Sequence, residues 1–180
     1  MKRLASFSIA AALGAALATP AVGQQAGLRT DIIGQIDDAG NKIIQLAEAI
    51  PQEKYSWRPA EGVRSVSEVF MHVAGANYFF VRLAGGPAAE SQPPRGAETS
   101  VTDKAQVLDW LRRSFAHVRT AIGNMSDADL AKTVDMFGQQ TTARNVLLVN
   151  ASHCHEHLGQ LIAYARSNAV VPPWSAAGGQ

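Results

Sequence analysis

Only one cysteine, Cys154, occurs in the 180 residues. No intrachain disulfide can form, so the fold must be held by a packed core or by a metal. Runs of Lys and Arg are also missing: 16 basic residues stand against 15 acidic ones, for a net charge of +1. Phosphate binding relies on clustered cations, so nucleic acid is not an expected partner. Nowhere do β-branched residues alternate with period two, which argues against an extended sheet. There is no internal repeat, and no uncharged stretch reaches the roughly 20 apolar residues of a confident membrane span.

What is present begins with MKRLASFSIAAALGAALATPAVG, which has the three parts of a secretory signal peptide. Lys2 and Arg3 form a basic n-region, Leu4 to Ala18 is an uncharged Ala/Leu-rich core, and Ala21 and Gly23 supply small residues before a cleavage point placed ahead of Gln24. Residues 1–23 are therefore expected to be a signal peptide, and residues 24–180 one exported domain, periplasmic or secreted, without stable membrane insertion after cleavage. With Lys2 and Arg3 set aside, that domain is slightly acidic. It is long enough for a real core.

The domain reads as helical throughout. Ile32, Ile33, Ile36, Ile43, Ile44 and Ala47 recur at helical spacing until Pro51 stops the first helix. The connector PQEKYSWRPAEGVR follows. Ser65 and Glu68 form a capping box that opens a second helix to about Leu83. GGPAAESQPPRGAETS reads as a long loop, and a third helix carries Val107, Leu108, Leu111, Val118 and Ile122. Ser126 and Asp129 suggest a short capped turn, and a fourth helix runs from about Thr142 to Ser167 before a tail begun by Pro172 and Pro173. Four amphipathic helices with one long crossing loop predict an all-α, four-helix bundle.

The chemistry concentrates in HCHEHLGQLIAYAR, residues 153–166, which holds three of the five histidines. On a helix, His153 and His157 lie about 40° apart and one turn along, so their rings can converge, whereas His155 is about 200° from His153 and faces away. The same polar seam collects Asn150, Gln160 and Tyr164, candidates to support the ligands or line a substrate wall. It borders an apolar arc of Leu147, Ala151, Cys154, Leu158, Leu161 and Ala165 that must face the core. A polar seam beside a core is costly to bury without partners, and a metal is one such partner; a solvated helix edge is the other reading. Cys154 belongs with the arc as a small buried hydrophobe.

On the second helix His72 shares a face with Val69, Ala76, Phe79 and Leu83, opposite Met71, Gly75, Tyr78 and Arg82, and so points inward. A lone inward histidine is usually a hydrogen-bonded core residue, but beside a converging pair it supplies the third ligand of an open metal site. His117 falls far from the apolar centre of its helix and reads as a surface residue. Residues 153–157 also match H-x-x-E-H, a metalloprotease pattern whose third ligand is a downstream glutamate. No Asp or Glu follows His157, so the match is accidental. Glu156 lies about 60° off the seam, a solvated carboxylate that could still reach toward bound water. Gly159 is expected either to let a neighbouring helix approach or simply to pack.

IPQEKYSWRPAEGVRSVSEVFMHVAGANYFF, with its Trp-x-Pro connector and inward histidine, together with the terminal H-x-x-x-H-x-G-Q, resembles the DinB-like proteins, which include the YfiT type and the bacillithiol- and mycothiol-dependent transferases. The resemblance implies a four-helix bundle and one divalent metal, zinc or nickel, held by His72, His153 and His157. It implies no single activity. The leading expectation is an exported metalloprotein acting on a small molecule as a hydrolase or transferase. The alternatives are a non-catalytic ligand-binding module, a structural metal clamping two helices or, in the cytoplasm, a thiol-dependent transferase. A homodimer is one assembly open to such a domain.

Overall fold

The computed structural model describes residues 22–176 of the chain. The expected n-region and apolar core of a signal peptide lie outside the described residues. Four long helices form the bundle: α1 (Val22–Ala49), α2 (Val66–Leu83), α4 (Lys104–Asn124) and α6 (Ala143–Ser167). Each of α1 and α2 packs against both α4 and α6, so the two helices that follow one another in sequence sit on a diagonal. The connector that crosses this diagonal, residues 50–65, is held at several points. Tyr55 donates its hydroxyl to the Ala47 carbonyl at 2.6 Å, and the amides of Val66 and Ser67 reach back to Trp57 and Tyr55.

Local chemistry sets the helix starts. Ser65 accepts from the Glu68 amide while the Glu68 carboxylate accepts from the Ser65 amide, the capping box expected from the sequence. Such a cap is worth about 1 kcal/mol. Asp103 caps α4, Thr142 caps α6, and Ser126 with Asp129 builds a second box at the short α5 (Asp127–Ala131). Between these ends, Ile36, Ile43, Leu46, Phe70, Leu111, Ile122, Leu147 and Leu161 are 1% exposed or less. Burying a side chain of this size contributes about 1.5–3 kcal/mol. A buried polar thread crosses this core: Asn77 donates to Ser114, and the Cys154 thiol lies 3.6 Å from the Asn77 oxygen. Burial pushes that thiol up to about 12, so Cys154 is the inert hydrophobe the sequence suggested.

Several expectations need correction. A two-stranded antiparallel hairpin, β1 (Thr133–Met136) and β2 (Gln139–Thr142), precedes α6. Its VDM and QQTT segments carry too little apolar alternation to announce a strand; pairing with each other and docking on α2 and α6 hold them. The long loop contains a one-turn helix, α3 (Ala97–Ser100), and the tail closes with α7 (Pro173–Ala176). Helix α2 is buried on more sides than its apolar stripe implied: Met71 and Tyr78 are covered, whereas Ala76, Phe79 and Leu83, on the flank of His72, are only partly so. His117 is half-buried rather than superficial, its ring 5.2 Å from that of Tyr78, and burial lowers its pKa.

Gly159 allows no close helix approach either, since a Cβ built there meets nothing within 4 Å. The close approach falls at Gly40, where a Cβ would lie 2.7 Å from the Phe115 ring across the α1–α4 contact. Gly159→Ala is therefore expected to stabilise the fold by about 0.5–1 kcal/mol through helix propensity. Urea unfolding measures this, and a loss of stability would show that something packs on that face. Among the described residues no helix is long and apolar enough to cross a membrane.

Candidate metal centre

The bundle brings the two halves of the polar seam together. His153 and His157 project from one face of α6, and His72 meets them from the less buried flank of α2. One ligand nitrogen from each of the three rings falls within 4.8 Å of the others. The Nε2 atom of His153 stands 3.1 Å from Nε2 of His72 and 3.1 Å from Nε2 of His157. His157 is 8% exposed and the other two are part-buried.

The partners of the outward nitrogens fix which inward nitrogens carry protons. The Tyr164 hydroxyl donates to the Arg64 carbonyl at 3.1 Å, and the Gln160 amide donates to the Tyr164 oxygen at 2.9 Å. That orientation turns the Gln160 oxygen onto His157 Nδ1, at 2.8 Å. An amide oxygen only accepts, so His157 Nδ1 carries a proton, and in the neutral tautomer its Nε2 presents a lone pair. The same logic applies to His72, whose Nδ1 donates to Glu98 Oε2 at 3.0 Å and whose Nε2 is left bare. His153 Nε2 therefore faces two lone pairs and can donate to only one of them.

His153 and His72 do not relieve the mismatch by taking up a second proton. Burial, and after it the neighbouring His157 and His72, hold His153 down to about 4. His72 is also below its ordinary value, with burial outweighing the pull of Glu98. At neutral pH both rings are uncharged. Three imidazoles aiming nitrogens at one point, two of them with outward N–H groups held by an oxygen acceptor, are the donor set that suits a divalent metal. The residues present fit such an ion, and His72, His153 and His157 could hold it.

Glu98 was not foreseen. It sits on α3 with Arg64 Nε 2.6 Å from its other carboxylate oxygen. Burial works to raise its pKa, but hydrogen bonds from Arg64 and His72 prevail and keep it below the usual carboxylate range. Nothing in a Gly/Pro-rich segment 26 residues from His72 marks this contact; only the turn of α3 creates it. Of the foreseen supporting residues, Gln160 and Tyr164 form the chain just described, and the Trp57 ring meets Tyr164 edge-on at 5.2 Å. Asn150 is fully buried but finds no hydrogen-bond partner among the described residues, so it orients none of the three histidines. Glu156 is exposed on α6 and makes no hydrogen bond to the site. His155 and His117 lie outside the cluster.

A cleft of about 340 Å³ opens onto His72 and His153, walled by Phe79, Phe80 and Phe137. A second, polar cleft lies on the other side of Glu98, between Arg58, Arg64 and Gln160. Glu98 thus lines both openings, and His72 and His153 line the apolar one.

Comparisons with known proteins agree with this architecture. The uncharacterised protein YjoA of Bacillus subtilis (strain 168) is 28% identical over 126 residues, which span 68% of this chain and 79% of YjoA. The crystal structure of YjoA aligns with a TM-score of 0.63 at 22% identity, covering 77% of this chain and 92% of that one. A DinB-like protein from Bacillus cereus ATCC 10987 gives 0.64 at 19%, covering 75% and 89%. The mycothiol-dependent maleylpyruvate isomerase gives 0.59 at 15%, covering 74% of this chain and 60% of that enzyme. At these identities the structures show a shared fold. The profile of the DinB superfamily matches residues 35–161, a span that contains His72, Glu98, His153 and His157, and the chain belongs to that superfamily.

Proposed function

We propose that this chain is a metal-dependent enzyme in which His72, His153 and His157 hold one divalent ion, zinc or nickel, for hydrolysis or group transfer on a small molecule. The observation that carries this reading is the convergence of three imidazoles, with Nε2 of His72 and of His157 each 3.1 Å from Nε2 of His153 and the outward nitrogens of both facing oxygen acceptors. When bound, such an ion supplies Lewis acidity, which polarises a carbonyl and makes water nucleophilic near neutral pH. The chain's own groups do the rest. Glu98 and Gln160 hold the imidazole tautomers, Tyr164 braces Gln160, and the cleft walls keep water from one side of a bound molecule. A structural clamp would need no cleft, and the opening beside His72 and His153 favours chemistry over clamping.

The proposal extends to location. The basic n-region, the Ala/Leu-rich stretch and the small residues before Gln24 support export, where low-molecular-weight cytosolic thiols would be absent. Catalysis should then need metal and water alone. The purified, metal-loaded protein is to be assayed against panels of esters, amides and epoxides. The expected result is turnover that rises with pH, vanishes on chelation and returns on reconstitution. Turnover that survives metal removal would contradict the proposal. N-terminal sequencing from the native host tests export: an intact Met1 in the soluble cytoplasmic fraction would favour thiol-dependent transfer, and the isomerase that shares the fold is itself named as mycothiol-dependent.

A further inference from the structure

Phe137 breaks two local rules at once. It occupies the hairpin turn with Gly138, between the paired residues Met136 and Gln139, and both turn residues have positive φ, 56° and 84°. This matches the two-residue turn that favours Asn followed by Gly, because a left-handed backbone crowds the Cβ of a bulky residue. Phe137 is also 75% exposed, so the core does not repay that strain. The turn itself is secured without the ring: Asp135 accepts from the Gly138 amide at 3.0 Å and from the Gln140 side chain at 3.4 Å.

The ring does have a place. It stacks on Phe79 with centroids 5.9 Å apart and planes 17° from parallel, at the opening of the cleft that leads to His72 and His153. Gly75, one turn before Phe79, lines the same cleft as His72 instead of the far side of α2 expected from the sequence, and a Cβ there would meet nothing within 4 Å among the described residues. Strain, exposure and a missing side chain therefore coincide on one cavity. A locally disfavoured residue whose strain core burial does not repay points to a functional position.

We propose that Phe137 and Phe79 form a specificity wall that selects small molecules carrying a flat apolar group, joined to a head group that offers a lone pair at the three histidines. The proposal rests on the metal reading above and adds the class of ligand to it. Flat rings gain from stacking and edge contacts with Phe79, Phe80 and Phe137, and Gly75 leaves the room they need.

The test compares imidazole with 4-phenylimidazole, which share a head group and differ by one ring, by calorimetric titration of metal-loaded protein after metal content has been measured for each variant. Wild type should bind the phenyl compound about ten-fold tighter or better, the scale of one good aromatic contact. Phe137→Asn should lose most of that preference while raising the melting temperature, because the turn is relieved. A purely structural role would not produce that opposite pair of changes. Gly75→Leu should fill the cleft and abolish the binding of the phenyl compound. Equal affinities in wild type, or a full preference retained in Phe137→Asn, would overturn the wall. A wild-type protein that takes up no metal overturns instead the reading of the three histidines, and with it the head-group half of this proposal.

Discussion

His157→Ala should lower bound divalent metal from about one equivalent toward zero, whereas His155→Ala and His117→Ala should leave it intact. His157 is the most buried member of the triad and the one whose tautomer is held by the longest chain, through Gln160 and Tyr164 to the Arg64 carbonyl. Removing it leaves two nitrogens, one on each of two helices, which is too few to hold a labile ion against buffer. Elemental analysis after dialysis reads the stoichiometry directly. Because His157 packs at the edge of the core, circular dichroism and a His157→Gln variant, which keeps most of the volume, separate loss of ligand from loss of fold. Equal metal loss in the His155 and His117 variants would refute the geometric assignment.

Glu98→Ala should weaken metal binding by about 10–100-fold, the usual cost of removing a group that orients a ligand histidine. Glu98 touches no ligand nitrogen. It holds His72 Nδ1 at 3.0 Å, and Arg64 in turn holds Glu98. Without it His72 is free to change tautomer or swing away, and its Nε2 lone pair is no longer committed to the site. Competition against a chromophoric chelator measures the affinity. Glu98→Gln, which can still accept the Nδ1 proton, should recover part of the loss. If Glu98 merely fastened α3 to α2, the Ala variant would melt earlier with its metal affinity unchanged.

The sequence made the two ends of the site legible for different reasons. His153 and His157 are one turn apart on a long helix, so helical geometry alone makes them converge, and their neighbours Gln160 and Tyr164 follow from the same periodicity. The apolar arc from Leu147 to Ala165 was equally plain, and every residue named in it is buried. His72 was harder. Its stripe looked like the main buried face of α2, but α2 is covered on several sides, and His72 lies on the flank left open for the cleft.

What escaped the sequence depends on contacts between distant segments. Glu98 is brought to His72 only by the turn of α3, and the hairpin that carries Phe137 is held by pairing and docking rather than by its own β propensity. Asn150 illustrates the opposite failure. Its spacing placed it on the seam, yet burial without a partner leaves it inside the core and out of the hydrogen-bonded set. Periodicity gives the direction of a side chain but not what it meets.

A metal shared by α2 and α6 through three imidazoles would be located by its anomalous scattering. A crystal structure of the metal-reconstituted protein, with anomalous difference density recorded at the absorption edge of the metal, tests that arrangement most directly. A single strong peak bonded to Nε2 of His72, His153 and His157 is expected. A peak elsewhere, one that engages His155 or Cys154, or no peak in protein shown to contain metal, would contradict it.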